Sequence, residues 1–397
     1  MLSNRQLFLR NVAQTSDAPL MIEIEKAKGV YLYAPNGKEY LDFISGIAVS
    51  NIGHCHPKVV EAIQKQAEKF MHLMVYGEYV HAPQVQLSQA ICNTLPKELN
   101  NVYLVNSGAE AVEGAIKLAK RYTQKTEIIS FKNAYHGSSN GALSIMGSEF
   151  FKQAYRPLIP DCKHIEFNNM EELEKISTKT AAVFVEIVQG EAGIIPIEKE
   201  FLENLREKCT QTGTMLVFDE IQTGFGRTGK FWAFEHYDIY PDILLCAKGM
   251  GGGMPIGAFI ASQEVMAVLK NDPFLGHITT FGGHPVSSAA SLATLNVILE
   301  ENLIEQVEQK ANYIKEALKS PLIKSIRNKG LMMAVEFENF DILKKIIDAA
   351  IEEGLITDWF LFCNNSMRIC PPINISFQEL EKACGLLNKA FSKFLPQ

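Results

Sequence analysis

The segment Leu-Leu-Cys-Ala-Lys-Gly-Met-Gly-Gly-Gly, residues 244–253, delivers one lysine, Lys248, from an apolar run into a loop almost free of bulky side chains. An ammonium at the carboxyl end of a buried strand is a costly choice, because its hydration is lost. The same burial lowers the amine pKa and makes the free amine available for Schiff-base chemistry. A solvated lysine in a glycine-rich turn is the competing reading, and the residues upstream bear on the choice.

Met-Leu-Val-Phe-Asp-Glu-Ile-Gln, residues 215–222, is a second apolar run that ends in acidic and amide groups. Asp219 falls where an open α/β sheet presents its ligands, past the carboxyl end of a strand. A carboxylate facing a heteroaromatic ring nitrogen keeps it protonated and makes the ring an electron sink, the partnership that a pyridoxal phosphate lysine needs. Alone, such an aspartate is more often a helix cap or turn residue. Paired in this order with Lys248, it is less easily explained that way.

Val-Tyr-Leu-Val-Asn-Ser-Gly-Ala-Glu-Ala, residues 102–111, runs into a helical pattern carried by Val112, Ala115, Ile116 and Ala119. A strand, then Ser-Gly, then a helix start leaves backbone N–H groups pointing at an anion, although Ser107 could simply be an N-cap. The lysine placement of a Walker loop and the spacing of a dinucleotide fingerprint are both missing.

Short apolar strands alternate with helical periodicity from about residue 60 to 290, as at 127–131, 181–187, 215–218 and 243–246. That alternation predicts an α/β fold with a mostly parallel sheet covered by helices. Residues 31–43 read as a small hairpin turning at Pro35-Asn36-Gly37, and a long helix is expected through 303–318, with strands at 330–337 and 367–369. The expected organisation is an N-terminal segment (1–55) packing with a C-terminal small α+β domain (291–397), around a large domain (56–290). The 397 residues carry a net charge of −7 without a basic block, which speaks against nucleic acid as a partner. Eight cysteines show no CxxC pair, and no signal-peptide core or membrane-length apolar run is visible. A reduced, cytoplasmic protein is expected. His54 and His56 flank Cys55 before Pro57 with no third ligand in view, so no metal is expected.

The quoted motifs, together with Ser-Gly-Ile-Ala-Val-Ser-Asn-Ile-Gly-His-Cys-His-Pro (45–57), Tyr-His-Gly (135–137), Gln-Gly-Glu-Ala-Gly (189–193), Thr-Thr-Phe-Gly-Gly-His-Pro (279–285) and Met-Arg-Ile-Cys-Pro-Pro (367–372), resemble the class III (ω-amino acid) aminotransferases over nearly the whole chain. The resemblance is greatest to the acetylornithine and ornithine members. It implies fold-type I pyridoxal 5'-phosphate enzymes and a homodimer, with small-molecule amine and 2-oxo acid substrates. It also implies that Lys248 carries the cofactor and shuttles a proton, Asp219 holds the pyridine nitrogen, and Gln222 reaches the phenolic oxygen. Ser107, Gly108 and Ala109 would cradle the phosphate, helped by Thr280 of the neighbouring subunit. Tyr135 and Ile221 would sandwich the ring, with His136 beside it. Glu191 would pair with Arg368 while an ω-amine is bound, then release it to an α-carboxylate.

One departure bears on substrate. The ornithine-type members follow His-Gly with an arginine for the distal carboxylate, and here Ser138 stands at that place. They also place a tyrosine where this chain has Ile47, which matches the acetylornithine type instead. N-acetylornithine is therefore the leading donor, with 2-oxoglutarate or pyruvate as acceptor; Tyr76, Lys132 and Arg156 are candidate substitutes for the missing arginine. Ornithine, 4-aminobutyrate or putrescine are alternative donors, and an aminomutase or decarboxylase on the same fold is the alternative reaction. A nicotinamide-binding Rossmann protein fails, because a lysine precedes the glycines and no acidic residue follows a second strand at the expected distance.

Overall fold

In the computed structural model, residues 2–75 and 77–395 are described. Among them, seven strands form the central sheet in the order Asn101–Val105, Gly257–Ala261, Ile243–Cys246, Met215–Asp219, Thr180–Glu186, Glu127–Phe131, Cys162–Ile165. The three middle runs expose almost nothing on either face, which is why they read as continuous apolar stretches and not as alternating ones. All neighbours run parallel except Gly257–Ala261, which is antiparallel to both strands beside it. Its reversal follows from chain length: only a short loop separates it from Ile243–Cys246, too little for a parallel crossover.

Two further four-stranded sheets stand apart from the central one. The first joins Lys26–Lys28, Tyr31–Tyr33 and Glu39–Asp42 to Leu355–Ile356, with Leu41 opposite Leu355 in parallel register. The expected hairpin is present, its turn closed by a bond from the Gly37 N–H to the Ala34 carbonyl at 3.0 Å. The second is antiparallel throughout, in the order Ser325–Lys329, Met332–Glu336, Ser366–Ile369, Asp358–Trp359. The helix expected from residue 303 begins later, at Val307, and ends at Ala317. Asn302, at φ +51°, breaks the path between it and the preceding helix Pro285–Glu300.

Directly after the hairpin, Ser45, Gly46, Ile47 and Ala48 all have φ between 52° and 62°, a full turn of left-handed backbone. Each non-glycine residue there costs about 1–2 kcal/mol relative to right-handed helix. The turn persists because its surroundings dictate it. Asp42 Oδ1 accepts from the N–H groups of Ile44 (3.0 Å) and Ser45 (2.8 Å), and Ser45 Oγ donates to the Cys370 carbonyl at 2.8 Å.

His54 and His56 are occupied locally: His54 Nε2 lies 2.7 Å from Asp42 Oδ2 and His56 Nε2 is 3.9 Å from Glu301. Among the described residues no helix is long and apolar enough to cross a membrane.

Candidate active site

The carboxyl edge of the central sheet collects the chemistry. Asp219 is the last residue of Met215–Asp219 and Glu186 the last of Thr180–Glu186. Lys248 comes two residues after Ile243–Cys246, and Ser107 two after Asn101–Val105. Together they open into a cavity of about 420 Å³, whose wall also includes Gly108, Ala109, Tyr135, His136, Ile221 and Gln222. Parallel strands place ligands at this edge because their connecting loops and helix starts converge there.

Lys248 sits at φ +45°, a conformation that side-chain-bearing residues avoid and that clusters at functional sites. Burial holds its amine below the ordinary lysine range, opposed by the charges of Glu191, Asp219 and Glu186 and reinforced by Arg368.

Asp219 is fixed from two sides. Its Oδ2 lies 2.7 Å from His136 Nδ1, and its Oδ1 accepts the Ile221 N–H at 3.0 Å. Burial alone would disfavour the charged imidazole, but the bond and charge of Asp219, with Glu186 behind it, raise the His136 pKa above its ordinary value. Glu186 moves the other way from a normal carboxylate: burial, with Asp219 adding to it, pushes it up to about 7 against the pull of His136 and of the Gly190 and Tyr135 N–H groups. His136 thus faces two acids, Asp219 through a direct bond and Glu186 through charge alone.

The helix Gly108–Thr123 begins at the cavity wall, with Ser107 as N-cap accepting from the Glu110 N–H at 3.1 Å. Its first N–H groups have no intrahelical partner and carry the positive end of the helix dipole. The floor and roof of this turn are tight. A Cβ at Gly108 would stand 2.9 Å from Ile221 Cδ1, and one at Gly257 would stand 2.5 Å from the Ser107 carbonyl oxygen. Gly257→Ala must therefore push the Ser107 turn into the cavity. The expected result is a loss of about 1–3 kcal/mol in stability, read by chemical denaturation, together with weaker pyridoxal phosphate retention on dialysis. Retention equal to wild type would show that the turn is not the phosphate seat.

Beside the cavity, Arg368 and Glu191 form a bidentate pair, Nη1–Oε1 and Nη2–Oε2 both 2.9 Å, with each side chain 5% exposed or less. Burial opposes ionisation of Glu191, but Arg368 holds it below the ordinary carboxylate range. The Leu361 N–H also donates to Glu191 Oε2 at 3.1 Å. Arg368 has further partners: its Nε donates to Asp358 Oδ1 at 2.9 Å, its Nη2 to the Trp359 carbonyl at 3.2 Å, and the Phe360 ring centre lies 4.4 Å from Cζ.

Other residues singled out in the sequence lie elsewhere. Ser138 Oγ is 3.4 Å from the Tyr135 hydroxyl, outside the cavity lining. Ile47 stands in the left-handed turn and does not line the cavity, which Val49, just after the turn, does. Thr280 is in an exposed turn, and Tyr76 lies outside the described residues. Neither cation considered as a substitute for an arginine at 138 lines the cavity: Lys132 is paired with Glu166, and Arg156 is held by Glu149 through three bonds of 2.7–2.9 Å. Sequence reading missed Glu186, although it ends an apolar strand as Asp219 does, and it missed Asp358, ten residues before Arg368 and visible only through strand pairing.

The family described as Aminotransferase class-III matches residues 12–391. An acetylornithine aminotransferase from Clostridium acetobutylicum is 37% identical, covering 93% of this chain and 96% of its own length. A [LysW]-aminoadipate semialdehyde/glutamate semialdehyde transaminase from Sulfolobus acidocaldarius is 36% identical, with 94% and 95% covered. An ornithine aminotransferase structure from Toxoplasma gondii superposes with TM-score 0.90 at 30% identity, over 97% of this chain and 92% of that one. The chain belongs to the class III aminotransferases and is a pyridoxal-phosphate-dependent transaminase that works between an amine and a 2-oxo acid.

Proposed function

We propose that the enzyme takes the terminal amino group of an ω-amine, N-acetylornithine foremost, and passes it to a 2-oxo acid. The observation that carries this reading is the buried Glu191–Arg368 fork beside the Lys248 cavity. One site must serve a donor with no carboxylate next to its amine and then an acceptor that has one. A buried guanidinium without a partner would be strongly unfavourable in the first case. Glu191 supplies the partner, and its departure leaves one N–H on each Nη for bidentate capture of the α-carboxylate. The names of the relatives favour N-acetylornithine.

The cavity fits pyridoxal phosphate on its own chemistry: a helix start whose Gly108 lies close under Ile221, a fixed carboxylate on its floor and a lysine in its wall. The cofactor, when bound, supplies an electron sink for the substrate's carbanion. Gly108 and Ala109 would hold its phosphate through their N–H groups, and Ser107 orders that turn. Asp219, oriented by His136, would hold the pyridine N–H. Gln222 would reach the phenolic oxygen, with Tyr135 and Ile221 on the two ring faces. Lys248 would bind the cofactor covalently and then, as a free amine, carry the proton from the substrate carbon.

A homodimer in which the partner subunit's Thr280 completes the phosphate seat belongs to the same reading. The exposed apolar side chains Met71, Tyr79, Val80, Phe274, Ile278 and Phe281 are what such an interface would cover.

The test is the absorption spectrum of the holoenzyme, titrated in turn with N-acetylornithine, ornithine, 4-aminobutyrate and putrescine without acceptor. The expected result is loss of the lysine-bound cofactor band, with conversion to the pyridoxamine form at the lowest concentration of N-acetylornithine. Conversion by none of the four would overturn the ω-amine assignment.

A further inference from the structure

We propose that Asp358 is a positioning residue: a permanent counter-ion that keeps the Arg368 fork built and neutralised when Glu191 leaves it. The proposal rests on the exchange of Glu191 for a substrate carboxylate given above.

Asp358 and Arg368 face each other directly across two antiparallel strands, Asp358–Trp359 and Ser366–Ile369. Cross-strand register therefore fixes the carboxylate against one edge of the guanidinium, and Asp358 Oδ1 takes the Nε–H at 2.9 Å. Glu191 reaches Arg368 from a distant loop and occupies the other edge, through Nη1 and Nη2. The two acids are thus not equivalent. One arrives on the same sheet as the arginine, while the other is free to leave without breaking a strand pair.

The Phe360 ring against Cζ and the Trp359 carbonyl on Nη2 come from the same short segment, 358–360. That segment holds the guanidinium by its Nε edge, its face and one Nη hydrogen, and leaves the fork directed at Glu191 or whatever replaces it. Charge follows the same logic. With Arg368 only 3% exposed, loss of Glu191 would leave a bare buried cation if Glu191 were its sole acid. With Asp358 in place, the site stays paired through the exchange, so opening the fork is less costly. A planar fork held in this way loses little freedom on binding a carboxylate.

The experiment measures the two half-reactions separately on holoenzyme, with wild type, Asp358→Ala, Asp358→Asn and Arg368→Ala, using an ω-amine donor that carries no carboxylate (putrescine) and pyruvate as acceptor. Asp358→Ala is expected to raise the KM for pyruvate about tenfold, the size of one lost charge-assisted contact, and to leave the KM for putrescine within about twofold. Asp358→Asn, which keeps an acceptor for the Nε–H but not the charge, should fall between wild type and Asp358→Ala; it also stands in if the alanine variant does not fold. An unchanged pyruvate KM in both variants, while Arg368→Ala raises it, overturns the positioning role alone. A rise in both KM values together with a lower Tm shows a merely structural role and overturns it as well. A pyruvate KM that Arg368→Ala does not move refutes the carboxylate fork itself.

Discussion

Lys248→Ala is expected to lower kcat by at least about 10⁴-fold, because the proposed function gives one residue both the hold on the cofactor and the movement of the proton. At about 1.4 kcal/mol per decade this is at least about 5 kcal/mol of barrier, more than any other single side chain in the cavity should supply. The fold should be untouched: removing a side chain at φ +45° relieves no packing in the core, since Lys248 lines a cavity and not a close-packed layer. The check is a single-turnover assay with far-ultraviolet circular dichroism on the same sample. The amine's lowered pKa gives the prediction a second arm. Arginine at this position stays protonated and cannot attack a carbonyl, so Lys248→Arg should be as inactive as the alanine variant. Turnover near the wild-type rate in either protein would refute the assignment of Lys248.

Asp219→Asn should retain cofactor and lose roughly 10²- to 10³-fold in kcat, about 3–4 kcal/mol of barrier. The amide can still meet a ring nitrogen but cannot keep it protonated. The same change strips His136 of its closest acid, which predicts a pH signature in the apo-protein. His136 has a folded pKa raised above its ordinary 6.5. Stability from that shift is fully present below 6.5 and disappears as pH rises through the folded value. The stability deficit of Asp219→Asn relative to wild type should therefore be largest at pH 6 and shrink towards pH 9, as read by urea denaturation at each pH. A deficit independent of pH would mean that His136 is not held charged by Asp219.

Much of this was legible before any coordinates. The buried parallel strands announce themselves as unbroken apolar runs, and the residues just past their ends (Ser107, Asp219, Lys248) are those that the topology brings to one edge. The reversed strand Gly257–Ala261 was not legible, since direction leaves no trace in a run buried on both faces. The start of the helix at Val307 was missed because Asn302 adopts left-handed backbone, which an asparagine can do but need not. Asp358 was hidden for a different reason. A charged residue in a two-residue strand has no periodicity to read, and its importance exists only in register with Arg368.

The strand order also sets a timetable. Every strand of the central sheet, and with it Lys248, Asp219 and the Ser107 turn, has been synthesised once residue 261 is made. Asp358 and Arg368 come later, and the hairpin at 31–42 waits for Leu355–Ile356 before its own sheet can close. At about 5–20 residues per second, roughly 5–20 s separate the end of the central sheet from the synthesis of Arg368. In the proposed reading, the residues that discriminate between substrates are thus synthesised after those that carry the chemistry.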